Sequence, residues 1–134
     1  MISKKYIKIY IFLNIYLCNS LKSFEDIDLW LKDVKENSSP NIKIFLIGNK
    51  SDLEDIREVD KEKAQKLKDE YDLDYFIETS AKTGKNAQEI FIQAAKVLYK
   101  DYNEYKKKKN IENNIAEINL NENKEENRDK NGCC

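Results

Sequence analysis

The chain has 134 residues, 37% of them charged, a formal net charge of −1 and a mean hydropathy of −0.79. That length suits one domain with a modest core, and the charge balance gives no reason to expect nucleic acid. Histidine is absent, which removes a histidine base or metal ligand and disfavours zinc; three cysteines, two of them terminal, make no disulfide framework.

Residues 1–17 (MISKKYIKIYIFLNIYL) begin with lysines and continue as an apolar, aromatic run. Two readings are open. One is a signal peptide, although no small-residue cleavage pattern follows and Asn14 interrupts the run. The other, favoured here, is a strand near 9–17, rich in Ile and Tyr; the run is too short to span a bilayer as a helix. Cys18 sits beside it and reads as a buried thiol rather than a reactive one.

Residues 23–37 predict a helix. Ser23 is placed to cap it, with Asp26 completing an S-x-x-D box. Phe24, Ile27, Trp30, Leu31 and Val34 recur at three- and four-residue steps and mark a buried face. Ser38-Ser39-Pro40 ends it.

Residues 42–52 (IKIFLIGNKSD) hold an apolar run closed by Gly48, as expected of a strand buried on both faces. Asn49, Lys50 and Asp52 follow at its carboxyl end, where open α/β sheets bind ligands. Their chemistry fits guanine. The Asp52 carboxylate can accept from the ring N–H and the exocyclic amine together, a donor pair that adenine lacks. The Asn49 amide can donate to the ring's acceptor edge, and the Lys50 stem can lie along the base. Alone, such a tripod is most often a turn. A polar loop over 53–59 leads to a second helix from 61 to about 71, capped by Asp60, with Ala64, Leu67 and Tyr71 as a thin apolar face. A further strand, 73–78 (LDYFIE), then ends at Thr79-Ser80-Ala81-Lys82, with Gly84 beyond. The Ala81 N–H can donate to the guanine carbonyl, and Ser80 can hold the neighbouring loop. Two strand ends with complementary guanine contacts make the stronger signal.

A third helix is expected from 87 to about 102, striped by Ala87, Ile90, Phe91, Ala94, Val97 and Leu98. From 103 the composition turns to Asn, Glu, Lys and Asp, with a basic block at 106–109, and reads as a disordered tail. The tail ends on Cys133-Cys134.

The stretches SFEDIDLWLKDVKENSSPNI, FLIGNKSDLEDIREV and FIETSAKTGKNAQEIF resemble the C-terminal half of the Rab family of Ras-like small GTPases. The resemblance implies guanine-base contacts at Asn49, Lys50, Asp52, Ser80, Ala81 and Lys82, with GTP or GDP as ligand. The family also uses Mg²⁺, but its ligands have no counterpart here. The terminal Cys133 and Cys134 resemble the family's double-cysteine prenyl acceptor, which implies a lipid anchor, Rab escort and prenylation machinery as partners, vesicle trafficking as context, and the cytoplasmic face of endomembranes as location. Where most Rab proteins carry Asp-x-Thr after the first strand read here, this chain has Leu17-Cys18-Asn19. No G-x-x-x-x-G-K-S/T motif occurs, and with only Gly48, Gly84 and Gly132 none is hidden. A D-x-x-G string at 129–132 falls in the tail and reads as coincidence. No catalytic residue and no metal ligand is assigned.

The expected architecture is therefore α/β: a partial P-loop-GTPase-like three-layer fold of about three parallel strands and three helices, with a disordered tail. Its parts are residues 1–22, an apolar segment; 23–102, the C-terminal half of a small GTPase domain; and 103–134. The strand near 9–17 should be a bare apolar edge. Function reads as a truncated Rab-like GTPase that recognises guanine nucleotide weakly through the base. The alternatives are a non-catalytic decoy engaging Rab partners, or an incomplete gene model of a full enzyme.

Overall fold

The computed structural model describes residues 10–130. It divides into two units, 1–95 and 96–134, each taken here by itself. In chain order the elements are β1 (Tyr10–Leu17), α1 (Leu21–Asn37), β2 (Ile42–Asn49), a short 3-10 turn (Glu54–Ile56), α2 (Lys61–Glu70), β3 (Tyr75–Glu78) and α3 (Ala87–Lys130). The three strands form one parallel sheet in the order β1-β2-β3, the α/β arrangement of three parallel strands and three helices that the sequence predicts. Of the two readings of the N-terminal run, the strand is the one realised.

The pleat explains the core. Phe12, Asn14 and Tyr16 of β1 and Ile44, Leu46 and Gly48 of β2 share the face covered by α1 and α2, since side chains alternate along a strand. There Tyr16, Cys18, Ile44 and Leu46 are buried with Phe24, Ile27, Leu31 and Val34 of α1 and Ala64 and Leu67 of α2. Phe12 stacks on Trp30 with ring centroids 4.4 Å apart, and Tyr16 meets Phe24 edge-on at 5.1 Å. Trp30, expected in the core, is half-buried at its margin. A Cβ on Gly48 would lie 2.5 Å from the Tyr16 hydroxyl, so the phenol of β1 can occupy its place only because β2 has glycine there. The other face carries two apolar rows across the sheet: Leu13, Phe45 and Tyr75, and Ile15, Ile47 and Ile77. Phe45 and Ile47 are buried, whereas Leu13 and Ile15 on the edge strand are exposed.

Three boundaries differ from expectation. Helix α1 starts earlier, at Leu21, and its cap is Ser20, whose hydroxyl oxygen accepts from the Ser23 N–H at 3.3 Å. Ser23 lies inside the helix; its hydroxyl donates to the Ser20 carbonyl and accepts from the Leu17 N–H, tying strand to helix. Asp26 closes no capping box and pairs with Lys22 instead. Strand β3 starts at Tyr75, because Leu73 is taken into the core and the Asp74 carboxylate turns to accept from the Ile44 N–H at 2.8 Å. Helix α3 continues through 103–130, where the sequence reading expected a disordered tail. Neither glycine nor proline occurs between Lys85 and Lys130 to stop it. Within it Ile90, Ala94 and Val97 are half-buried, Phe91 and Leu98 are exposed, and residues 106–121 are exposed throughout. The expected apolar stripe is thus only partly covered. Among the described residues no helix is long and apolar enough to cross a membrane.

Candidate functional site

The loops that leave β2 and β3 are held together. β2 ends at Asn49, and Lys50 turns the chain with a positive φ of 60°. That left-handed turn is uncommon outside glycine and costs about 1 kcal/mol. It is stabilised by the Leu53 N–H donating to the Lys50 carbonyl at 3.1 Å. Ser51, buried, donates its N–H to the Thr79 carbonyl at 3.0 Å, and the Thr79 N–H donates to the Gly48 carbonyl at 2.7 Å, so the β2–β3 ladder runs on into the loops.

Side chains then close the pair. The Ser80 hydroxyl, fully buried, donates to the Asp52 carboxylate at 2.6 Å and accepts from the Thr83 N–H at 3.2 Å. The Asn49 side-chain oxygen accepts from the Ala81 N–H at 3.2 Å and from the Thr79 hydroxyl at 3.5 Å. Gly84, at φ +77°, donates its N–H to the Ser80 carbonyl and completes the turn. All six residues singled out from sequence come together at these loops: Asp52 with Ser80 and Asn49 with Ala81 through hydrogen bonds, and Lys50 and Lys82 through their charge beside Asp52. Asp52 is exposed, and its carboxyl lies below the usual carboxylate value, mainly because the Ser80 hydroxyl donates to it. Desolvation opposes this; its own backbone N–H and the charges of Lys82 and Lys50 add to it. The ionised carboxylate needed to accept two guanine donors is thus the resting form. The terminal pair Cys133 and Cys134 lies outside the described residues.

Sequence reasoning missed what lies under the loops. Arg57, read as part of a polar connection, makes a fork to Glu78 at 2.7 and 3.1 Å, donates through Nε to Glu54 at 3.0 Å, and donates to the Val59 carbonyl at 3.0 Å. Glu78 is the last residue of β3, so the clamp joins the chain after Asp52 to the chain before Ser80. The signal available was a lone arginine following two acids, with a glutamate ending the next strand. Cys18 also faces Glu78, at 3.8 Å, and burial pushes its thiol up to about 11, which keeps it inert.

Among the described residues no group of three or more carboxylate or thiol side chains converges. A groove of about 540 Å³ lies elsewhere, between α1 and α2, walled by Glu25, Asp28, Lys63 and Lys66; none of the loop residues lines it.

The Ras family model matches residues 1–100. Over 82 residues the chain is 44% identical to the Ras-related protein Rab-13 of Bos taurus, a match covering 61% of this chain and 40% of that protein. The chain thus spans about two fifths of the length of this relative. With three quarters of its residues inside the family match, the chain belongs to the Ras family.

Proposed function

We propose that this chain recognises guanine nucleotides, GTP or GDP, through the base. Asp52 accepts from the ring N–H and the exocyclic amine. The Asn49 amide donates to the ring's acceptor edge, the Lys50 stem lies along the base, and the Ala81 N–H serves the guanine carbonyl. Ser80 fixes the carboxylate, and Lys82 adds positive charge beside it. The observation that carries this reading is the 2.6 Å bond from Ser80 to Asp52, which sets the base-reading carboxylate before any ligand arrives. The Ala81 N–H is engaged by Asn49 at rest, so a guanine carbonyl takes it over on binding.

No residue assigned here reads phosphate. A few charge-assisted hydrogen bonds, less the cost of association, leave roughly micromolar-to-millimolar affinity. GTP, GDP and guanosine should therefore bind alike, and magnesium should change little. Titration calorimetry with the three ligands, with and without magnesium, tests this. Tight, magnesium-dependent GTP binding would overturn base-only recognition. Hydrolysis is not proposed, because phosphoryl transfer depends on positioning the phosphates.

The reading extends to attachment. Cys133 and Cys134 are proposed as prenyl acceptors, modified with the help of Rab escort and prenylation machinery, holding the chain on the cytoplasmic face of endomembranes in vesicle trafficking. Two lipid chains, or one with the basic block at 106–109, suffice for stable anchoring. Replacing both cysteines by serine should move the protein from the membrane to the soluble fraction in cells. A wild type that is itself soluble refutes the anchor.

A further inference from the structure

We propose that the groove between α1 and α2 is a self-association face whose occupant is a second copy of this chain. The two copies are related by a two-fold axis along the groove, so that α1 of each lies over α2 of the other. The first ground is the pattern of the two walls. α1 presents Glu25, Asp28, Leu29 and Lys32 to the groove, and α2 presents Lys63, Lys66, Leu67 and Glu70. Both sets follow the steps i, i+3, i+4 and i+7 that gather residues on one helix face. In chain direction α1 runs acid, acid, leucine, base, and α2 runs base, base, leucine, acid. Each wall is the charge complement of the other, position by position.

The second ground is register. Both helices connect neighbouring parallel strands and pack on one sheet face, so they run in the same direction. Two contacts between them fix their level. The Lys63 ammonium lies 5.6 Å from the centre of the Phe24 ring, and the Tyr71 hydroxyl donates to Asp28 at 2.8 Å. Lys63 thus stands level with Phe24 and Glu25. Equal steps then keep Lys66 level with Asp28, Leu67 with Leu29, and Glu70 with Lys32. A two-fold axis along the groove preserves this direction and exchanges the walls, so every position of α1 meets its complement on α2 of the other copy.

The third ground is what a single copy leaves unmade. Among the described residues no ion pair joins α1 to α2, although the walls are complementary; Asp28 pairs with Lys32 inside α1, and Glu25, Lys63, Lys66 and Glu70 enter no ion pair. The groove stays open above the buried rings and methyls of Phe24 and Leu67. Leu29 stands beside it with 66% of its surface exposed. In the pairing, Leu29 of each copy enters the other's groove over Leu67, Glu25 meets Lys63, and Lys32 meets Glu70. The lysine stems cover the remaining apolar floor. The two helices overlap over about 15 Å. That is a contact at the small end of specific interfaces, so the dimer is weak and sensitive to charge.

Sedimentation of the full chain in reducing buffer, at rising concentration and at low and high salt, tests this. The wild type should dimerise at low salt and dissociate as salt screens the pairs. Leu29→Lys should raise the dissociation constant about tenfold or more and leave the melting midpoint unchanged, because Leu29 is exposed in the single copy. Glu25→Lys sets lysine against Lys63 of the other copy and should also weaken the dimer. Adding Lys63→Glu to Glu25→Lys makes the charges opposite again and should restore it. An antiparallel pairing, with α1 over α1, would instead set Glu25 against Lys32 and Lys63 against Glu70, and the double exchange would stay weak. A wild type that remains monomeric, or a dimer indifferent to Leu29→Lys, overturns the proposal. A double exchange that fails to restore the dimer overturns the pairing of α1 with α2.

Discussion

Asp52→Asn is expected to weaken guanosine binding by roughly ten- to a hundredfold and to bring guanosine and adenosine close to equal affinity. A hydrogen bond to a charged group contributes about 1.5–3 kcal/mol, and each 1.4 kcal/mol is about a factor of ten. The carboxylate accepts from two guanine donors; the amide oxygen accepts from one and sets an N–H against the other. The Ser80 hydroxyl can still donate to the amide, so the loops should hold, and a thermal melt close to wild type would separate lost recognition from lost structure. Parallel titrations with guanosine and adenosine read the effect, and an unchanged ratio would remove Asp52 from base recognition. The pH dependence has a definite sign. The folded carboxyl lies below its ordinary 3.8, chiefly through the Ser80 bond. Its stabilising contribution is therefore present above 3.8, the ordinary value of the unfolded chain, and is lost as pH falls through the lower folded value. Guanosine affinity should stay flat through the mildly acidic range and fall only as Asp52 protonates.

Arg57→Ala should destabilise the fold by about 3 kcal/mol, a fall of more than about 10 °C in the melting midpoint for a domain of this size. Arg57 and Glu78 have 13% and 11% of their side-chain surface exposed. Removing the guanidinium strands a nearly buried carboxylate with only the Cys18 thiol, 3.8 Å away, as a weak donor. The penalty lies in the orphaned charge more than in the lost attraction. Glu78→Gln in the Arg57→Ala background should therefore recover part of the loss, and Arg57→Lys, which keeps the charge without the fork, should fall between. Guanosine binding should weaken along with stability, since the clamp joins the two loops from beneath. A shift below about 0.5 kcal/mol in chemical denaturation would reduce the pair to an ordinary surface contact.

What could be read from the sequence follows where burial is periodic. β2 was visible because Ile42–Ile47 is apolar on both faces, and α1 because Phe24, Ile27, Leu31 and Val34 keep the helical step. The loop residues were visible because chemistry, rather than propensity, singles out Asn49, Lys50 and Asp52. Local rules failed where a neighbour in space overrode them. Ser23 has good capping chemistry, yet Ser20 caps, because Ser23 is drawn back to Leu17. Leu73 extends the apolar run of β3, yet the Asp74 bond to Ile44 ends the strand before it. Arg57 and Glu78 lie 21 residues apart, and no periodicity links a loop arginine to a strand-end glutamate. The helix over 103–130 was missed for a different reason. Composition reports whether a segment can bury a core, and over residues 106–121 α3 continues fully exposed.

The register of β1 with β2 also sets a clock. Tyr10 pairs with Ile42 and Leu17 with Asn49, a constant offset along the parallel ladder. Each β1 residue must therefore wait for its partner to be synthesised. At about 5–20 residues per second, that is roughly two to six seconds per pair, before exit from the ribosome is counted. During that interval β1 is a charge-free strand whose β2-facing edge is unsatisfied. Among the described elements, α1 is the partner translated before β2, and its Phe24 and Trp30 pack on Tyr16 and Phe12. In the nascent chain, α1 acts as a temporary cover for the strand, a task finished once β2 emerges.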